Sequence, residues 1–223
     1  MNNIIDITIK YVKNELKDEE AGHNWWHIHR VFNLATFIAK KEGGNLLIIQ
    51  LASLLHDIAD YKFYNGDEEI GKRKIKKFLT LHQVDDNIIE HIEKIIENIS
   101  YKGGSFKQNF DSLEFRIVQD SDRLDAMGAI GIARAFHYGG YKNNEIYDPN
   151  VSVNLNLSPI EYLHSKSTTI NHFYEKLLLL KNFLNTKTAQ KLGEKKHQTM
   201  LIFLENFFDE WDMEGKYLVK NFQ

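Results

Sequence analysis

A chain of 223 residues with 43% apolar and 26% charged residues has the length and composition of a globular protein with a substantial core, which excludes a disordered tail, a fibrous repeat and a mini-protein. Its 28 Lys and Arg stand against 31 Asp and Glu, a net charge of -3, so no long-range attraction to a nucleic-acid backbone is present and any anion must be gripped locally. Cysteine is absent, which removes disulfides, thiolate metal sites and thiol nucleophiles and leaves metal chemistry to histidine and carboxylates.

Residues Met1 to Tyr11 lack the basic and apolar tracts of a secretory signal, and no run of 18 apolar residues follows anywhere, which predicts a cytoplasmic protein with no membrane segment. Pro149 and Pro159 are the only prolines, so long helices are permitted before and after them. Apolar residues recur with helical periodicity at Trp26, Val31, Leu34 and Ile38, and again at Leu47, Leu51, Leu54, Leu55 and Ile58. Helices are predicted near 3–17, 24–42, 45–58, 67–82, 85–99, 112–122, 124–138, 160–182 and 186–211, giving an all-α fold. Gly43-Gly44, Asn65-Gly66, Gly103-Gly104 and Gly139-Gly140 mark breaks, with Asp67 and Asp85 as N-caps. The whole chain, 1–223, reads as one domain.

In the second predicted helix, Trp25-Trp26-His27-Ile28-His29-Arg30 places His27 among apolar and aromatic neighbours with Arg30 one turn later. A metal ligand beside an anion clamp has this form, and so does a core histidine bonded to a backbone carbonyl. His56-Asp57 ends the apolar run Leu51 to Leu55, where an adjacent imidazole and carboxylate are costly to bury unless a cation pairs with both. Asp60 follows within one turn, placed to hold a metal-bound water. The cluster Lys72, Arg73, Lys74, Lys76 and Lys77 reads as a solvated helix face paired through Glu68–Lys72 and Glu69–Arg73. Asp120, Asp122 and Asp125 crowd one short segment, which N-capping explains only in part, and the small-residue stretch Ala126 to Ala135 carries two glycines at a cost of about 1 kcal/mol each. Residues 141–157 lack helical periodicity and form a long loop, of the kind that serves as a lid or partner surface. Apolar faces at Leu177 to Leu180 and Met200 to Phe208 predict a terminal helical pair.

The series His27-x-x-Arg30-Val31, Leu54-Leu55-His56-Asp57-Ile58 and Ser121-Asp122-Arg123-Leu124 resembles the HD-domain metal-dependent phosphohydrolases in order and spacing. The stretches Gly22 to His27, His56 to Lys62, Ile99 to Gly103 and Gln119 to Phe136 are similar to a small bacterial subfamily that includes nucleotide pyrophosphohydrolases. The resemblance implies an HD core at about 22–140, with a C-terminal helical extension at about 158–215. It implies His27, His56, Asp57 and Asp122 as metal ligands, and Asp60 near the nucleophilic water. Arg30, Lys62 and Lys102 lie in or beside matching motifs as cations for phosphate oxygens, Lys62 first among them. Asn24 and Ser121 depart from the subfamily pattern at positions that are not ligands, with small effects expected. His82 and His91 lie on polar stretches and read as exposed, which favours one metal over two. Arg123 and Asp125 are expected to pair with each other.

The implied cofactor is one divalent ion, Mn²⁺ first, with Fe²⁺, Co²⁺, Ni²⁺ and Mg²⁺ admitted by a mixed nitrogen and oxygen set. The implied activity is hydrolysis of a nucleotide's phosphate ester or anhydride by metal-activated water, with a nucleoside triphosphate cleaved to monophosphate and pyrophosphate. A 5′-nucleotidase and an alarmone hydrolase are alternatives within the same chemistry, and a nucleotide-binding sensor without turnover is an alternative of another class. Expected partners are a small phosphorylated substrate and at most a second copy of the chain, with no nucleic acid and no membrane.

Overall fold

The computed structural model describes residues 3–17, 24–59, 68–99, 110–154 and 167–212. Among them no strand occurs. The helices are α1 (Ile4–Glu15), α2 (Trp25–Glu42), α3 (Leu46–Leu55), α4 (Glu68–Leu81), α5 (Asp86–Ile99), α6 (Leu113–Asp125), α7 (Gly128–Tyr141), α8 (Thr169–Glu175) and α9 (Lys187–Asp212). Tight 3-10 turns cover His56–Ala59 and Leu177–Phe183. The all-α expectation holds.

The described residues form two compact units, one within 3–122 and one of residues 123–154 with 167–212. The first is organised around α3, which packs on α1, α2 and α5. Ile49, Leu51, Ala52, Leu54 and Leu55 of this helix are fully buried, and each large aliphatic among them is worth about 1.5–3 kcal/mol on removal from water. Ile28, Val31, Ala35 and Ile38 of α2 and Ile92 and Ile95 of α5 complete an aliphatic core. Trp26 departs from the predicted stripe: it is 63% exposed, turned away from the face that buries His27. Asparagines begin three of the helices, Asn3 before α1, Asn24 before α2 and Asn45 before α3, each accepting from main-chain N–H groups of the first turn. Asp85 caps α5 as expected, through Asn87 N–H at 2.9 Å. Asp67, Asn65-Gly66 and Gly103-Gly104 lie outside the described residues.

Three lysines on the basic face of α4 meet carboxylates, and the expected Glu68–Lys72 pair involves a side chain outside the described residues. Lys72 meets Glu69 and Glu97 at 3.0 and 3.1 Å, Lys74 meets Glu15 at 2.8 Å, and Lys76 meets Glu93 at 3.5 Å. Acidic residues of α1 and α5 flank the helix, so cross-helix partners compete with those one turn away. His91 corrects another expectation. It is half-buried and bonded to Ser112 Oγ at 2.9 Å, with Glu114 3.7 Å away, so it joins α5 to the start of α6. Glu114 in turn accepts from Asn45 N–H at 2.8 Å; against the cost of burial, this bond holds its carboxyl below the usual range. His82 is half-buried too, its ring edge-on to Phe78 at 4.8 Å.

The second unit has a different core. Phe136, Phe173, Phe203, Phe207 and Phe208 pack ring against ring, and Tyr147 reaches Phe207, Phe208 and Trp211 at 5.0–6.0 Å. The break expected at Gly139-Gly140 does not occur, because α7 continues to Tyr141. Gly139 serves close approach instead: a Cβ there would lie 2.2 Å from Thr169 Oγ1 on α8. The break expected between 122 and 124 falls later, at Ala126-Met127, where Gly128 opens α7 with φ +70°. Of the predicted helix 160–182, residues 160–166 lie outside the described residues and the rest divides at Lys176, where φ −143° leaves the helical region. Four consecutive leucines offer apolar surface on every side, and the tight winding after Lys176 buries Leu177, Leu178 and Leu180.

Residues 142–154 are irregular, as the missing periodicity predicted, yet they are stitched to their own unit. Glu145 and Ile146 carbonyls accept from Thr169 and Ile170 N–H at 3.0 Å each, and Val151 C=O accepts from Asn171 Nδ2 at 2.8 Å. No helix of the described residues is long and apolar enough to cross a membrane.

Candidate metal centre

Three elements of the first unit converge on one point. Asn24 starts α2 by accepting from Trp26 and His27 N–H at 3.1 and 3.2 Å, so the capping residue fixes the backbone of His27 itself. The apolar length of α3 carries the chain through the core and delivers His56 and Asp57 at its end, where the helix tightens into a 3-10 turn. Asp122 lies in the last turn of α6. His27, His56 and Asp57 are 2%, 6% and 6% exposed, a burial that leaves charged and polar atoms dependent on one another.

His27 Nε2 lies 3.4 Å from Asp57 Oδ2 and 3.4 Å from Asp122 Oδ1. His56 Nε2 lies 3.4 Å from Asp57 Oδ1 and 3.9 Å from Asp122 Oδ1. Donor atoms bound to one ion at about 2.0–2.2 Å stand roughly 3 Å apart at right angles and roughly 4 Å apart when opposite. The four separations fall in that interval. His27, His56 and Asp57 offer ligand atoms that all lie within 4.8 Å of one another.

Protonation sharpens the point. His56 Nδ1 is 2.9 Å from the carbonyl oxygen of Ser53, and a carbonyl only accepts, so Nδ1 carries a proton and the neutral ring presents its lone pair at Nε2. That Nε2 atom is buried with no hydrogen-bond partner. A lone pair held against a carboxylate oxygen is repulsive until a cation stands between them. The donor set therefore fits a divalent ion with imidazole and carboxylate ligands.

The other expected site residues fall in different places. Arg30 is half-buried on α2, one turn after His27. Asp60, Lys62 and Lys102 lie outside the described residues. The expected pairing of Arg123 with Asp125 is replaced by two separate bonds, because α6 runs on through both residues and aims them apart. Asp125 accepts from Arg134 Nη1 at 2.6 Å, and Arg123 donates to the Phe183 carbonyl and covers its ring. Asp120, Asp122 and Asp125 are helical, so none caps α7; Met127 stands at that position without a side-chain bond. Ser121 donates to Ile117 C=O at 2.7 Å and is fully buried. Sequence reasoning missed the capping role of Asn24, although an asparagine directly before an apolar-periodic run is the usual signal for one.

The profile of the HD domain family matches residues 25–127, which include all four converging residues. YpgQ of Bacillus subtilis, described as uncharacterized, is 34% identical over 206 residues, covering 92% of this chain and 91% of its own length. A solved protein from Lactobacillus plantarum superposes with a TM-score of 0.83 at 34% identity over 96% of this chain and all of its own. An HD-superfamily hydrolase from Bacillus thuringiensis gives 0.76 at 40% identity, covering 95% and 98% of the two chains. YpgQ has been solved in complex with ADP, and that structure gives 0.74 at 30% identity, covering 93% and 98%.

Proposed function

The chain belongs to the HD-domain family, and from that premise we propose that it is a metal-dependent phosphohydrolase acting on nucleotides, cleaving a nucleoside triphosphate to the monophosphate and pyrophosphate. The observation that carries this reading is the orphaned, buried Nε2 of His56 facing Asp57 and Asp122, an arrangement that suits a cation. The ADP complex of YpgQ supports the choice of a nucleotide.

In this reading His27, His56, Asp57 and Asp122 hold one divalent ion, Mn²⁺ first. A bound ion supplies Lewis acidity toward a phosphoryl oxygen and a water of lowered pKa. Such a mixed imidazole and carboxylate set would hold the ion without using every coordination position. Asp60 accepts the proton as the water oxygen bonds to phosphorus and the anhydride bond to the pyrophosphate breaks. Arg30, Lys62 and Lys102 meet the phosphate oxygens, where charge grows as the bond cleaves and a chain of net charge -3 needs local cations. Ser53 acts through His56, its carbonyl keeping the imidazole in the tautomer that ligates.

The deciding experiment supplies Mn²⁺, Co²⁺ or Mg²⁺ to chelator-treated protein and measures phosphate and pyrophosphate released from nucleoside mono-, di- and triphosphates. Pyrophosphate from triphosphates is the expected result. Phosphate from monophosphates would replace it with a 5′-nucleotidase, and nucleotide binding without turnover under every metal would replace it with a sensor. Asp60→Asn is expected to keep the metal and lose turnover, because an amide cannot take the proton.

A further inference from the structure

Asp122 occupies the last turn of α6, which ends at Asp125. Terminal turns lack intrahelical partners for their carbonyls and fray. A carboxylate that has to meet two imidazoles cannot drift, since ligating geometry must hold within about 0.5 Å. The Asp122 side chain is 36% exposed, so packing around it does not supply that rigidity.

The next turn does. Asp125 is 2% exposed and accepts from Arg134 Nη1 at 2.6 Å, a bond that spans the Ala126-Met127 link and joins the end of α6 to the middle of α7. Main-chain bonds close the link itself, from Ala126 N–H to Arg123 C=O at 3.1 Å and from Met127 N–H to Leu124 C=O at 3.2 Å. An ion pair at a buried site adds little net stability over apolar residues of the same volume, whereas its directional bond fixes how one helix end is turned against the next. A directional bond at the end of α6 bears on the aim of the carboxylate one turn before it.

We propose that Asp125 and Arg134 are positioning residues for Asp122, locking the last turn of α6 so that the Asp122 carboxylate stays aimed at the two imidazoles. This inference rests on the reading of Asp122 as a metal ligand. The pair acts on Asp122 through the helix.

The test titrates Co²⁺ into the full chain after chelator treatment, following its visible absorption, beside thermal unfolding without metal. Co²⁺ uptake by the unaltered protein that Asp57→Ala abolishes establishes the centre independently of the clamp. Arg134→Gln is then expected to weaken Co²⁺ binding about 10–100-fold and to shift the absorption bands, with Arg134→Lys recovering most of both. A lower melting temperature in Arg134→Gln with Co²⁺ affinity and bands unchanged would overturn the positioning role and leave the centre standing. No Co²⁺ uptake by the unaltered protein would overturn the centre and the role with it. Where Arg134→Gln does not fold, Asp125→Asn keeps the shape of the site and weakens the bond: a several-fold loss of Co²⁺ affinity supports the role, and an unchanged affinity overturns it.

Discussion

Among the described residues, His27 and His56 of the first unit and His172 and His197 of the second are sheltered from solvent, and the company the two pairs keep is opposite. In the first unit His27 and His56 face the carboxylates of Asp57 and Asp122. In the second, burial first and Lys176 second push His172 down to about 4, and burial with Lys181 lowers His197 against the pull of Glu194. In the second unit burial by itself favours the neutral imidazole. Carboxylates beside the imidazoles make a group that could hold a cation, and lysines beside an imidazole repel one. A buried histidine is thus no signal of metal until its neighbours are known.

The comparison breaks first at the metal. Asp57→Ala is expected to weaken divalent-ion binding by more than about 100-fold, beyond the usual effect of an outer residue, while circular dichroism stays helical; retention of the ion at full affinity would leave the first unit's histidines no different from the second's. Gly139→Ala tests whether the second unit is held by close approach of α7 and α8. With Thr169 Oγ1 only 2.2 Å from the new Cβ, a loss of about 1–3 kcal/mol in urea unfolding is expected, with ion affinity unchanged.

Acid sharpens the contrast. His172 stays neutral in the folded chain down to about 4, while the unfolded chain protonates it near its ordinary value of 6.5. The unfolded state therefore binds more protons between those limits, and the stability this residue contributes is complete above 6.5 and is lost as pH falls toward 4. A loss of about 2 kcal/mol between pH 7.5 and 5 is expected from urea midpoints, and His172→Gln should flatten it. The smallest effect falls on a cap. Asn24→Ala is expected to cost about 1 kcal/mol of stability, and because Asn24 bonds the N–H of His27, Asn24→Asp should restore it.

The helices were readable because aliphatic residues repeat at helical spacing with few breakers, and Leu51, Leu54, Leu55 and Ile58 are all buried as that spacing required. The convergence of His27, His56 and Asp57 was readable only from the joint pattern, since each residue alone has an ordinary core explanation. Glycine misled at Gly139-Gly140, because a residue that breaks a helix by its freedom also admits a neighbour by its size, and the sequence does not say which property is in use. The Asp125–Arg134 bond was invisible for another reason: nine positions of separation across a turn match no helical spacing. Trp26 was misplaced because the apolar period gives a face and cannot say where that face ends.

The chain holds only three tryptophans, and two of them, Trp25 and Trp26, immediately precede His27 in the first turn of α2. Trp25 lies under the Lys13 ammonium at 4.6 Å, and Trp26 is open to solvent. A helix rises only about 1.5 Å per residue, so both indoles sit within a few ångströms of the first imidazole along the axis. The protein thus carries its own optical gauge: a paramagnetic ion bound at that imidazole would dim their emission, and Trp211→Phe would leave a signal from α2 alone.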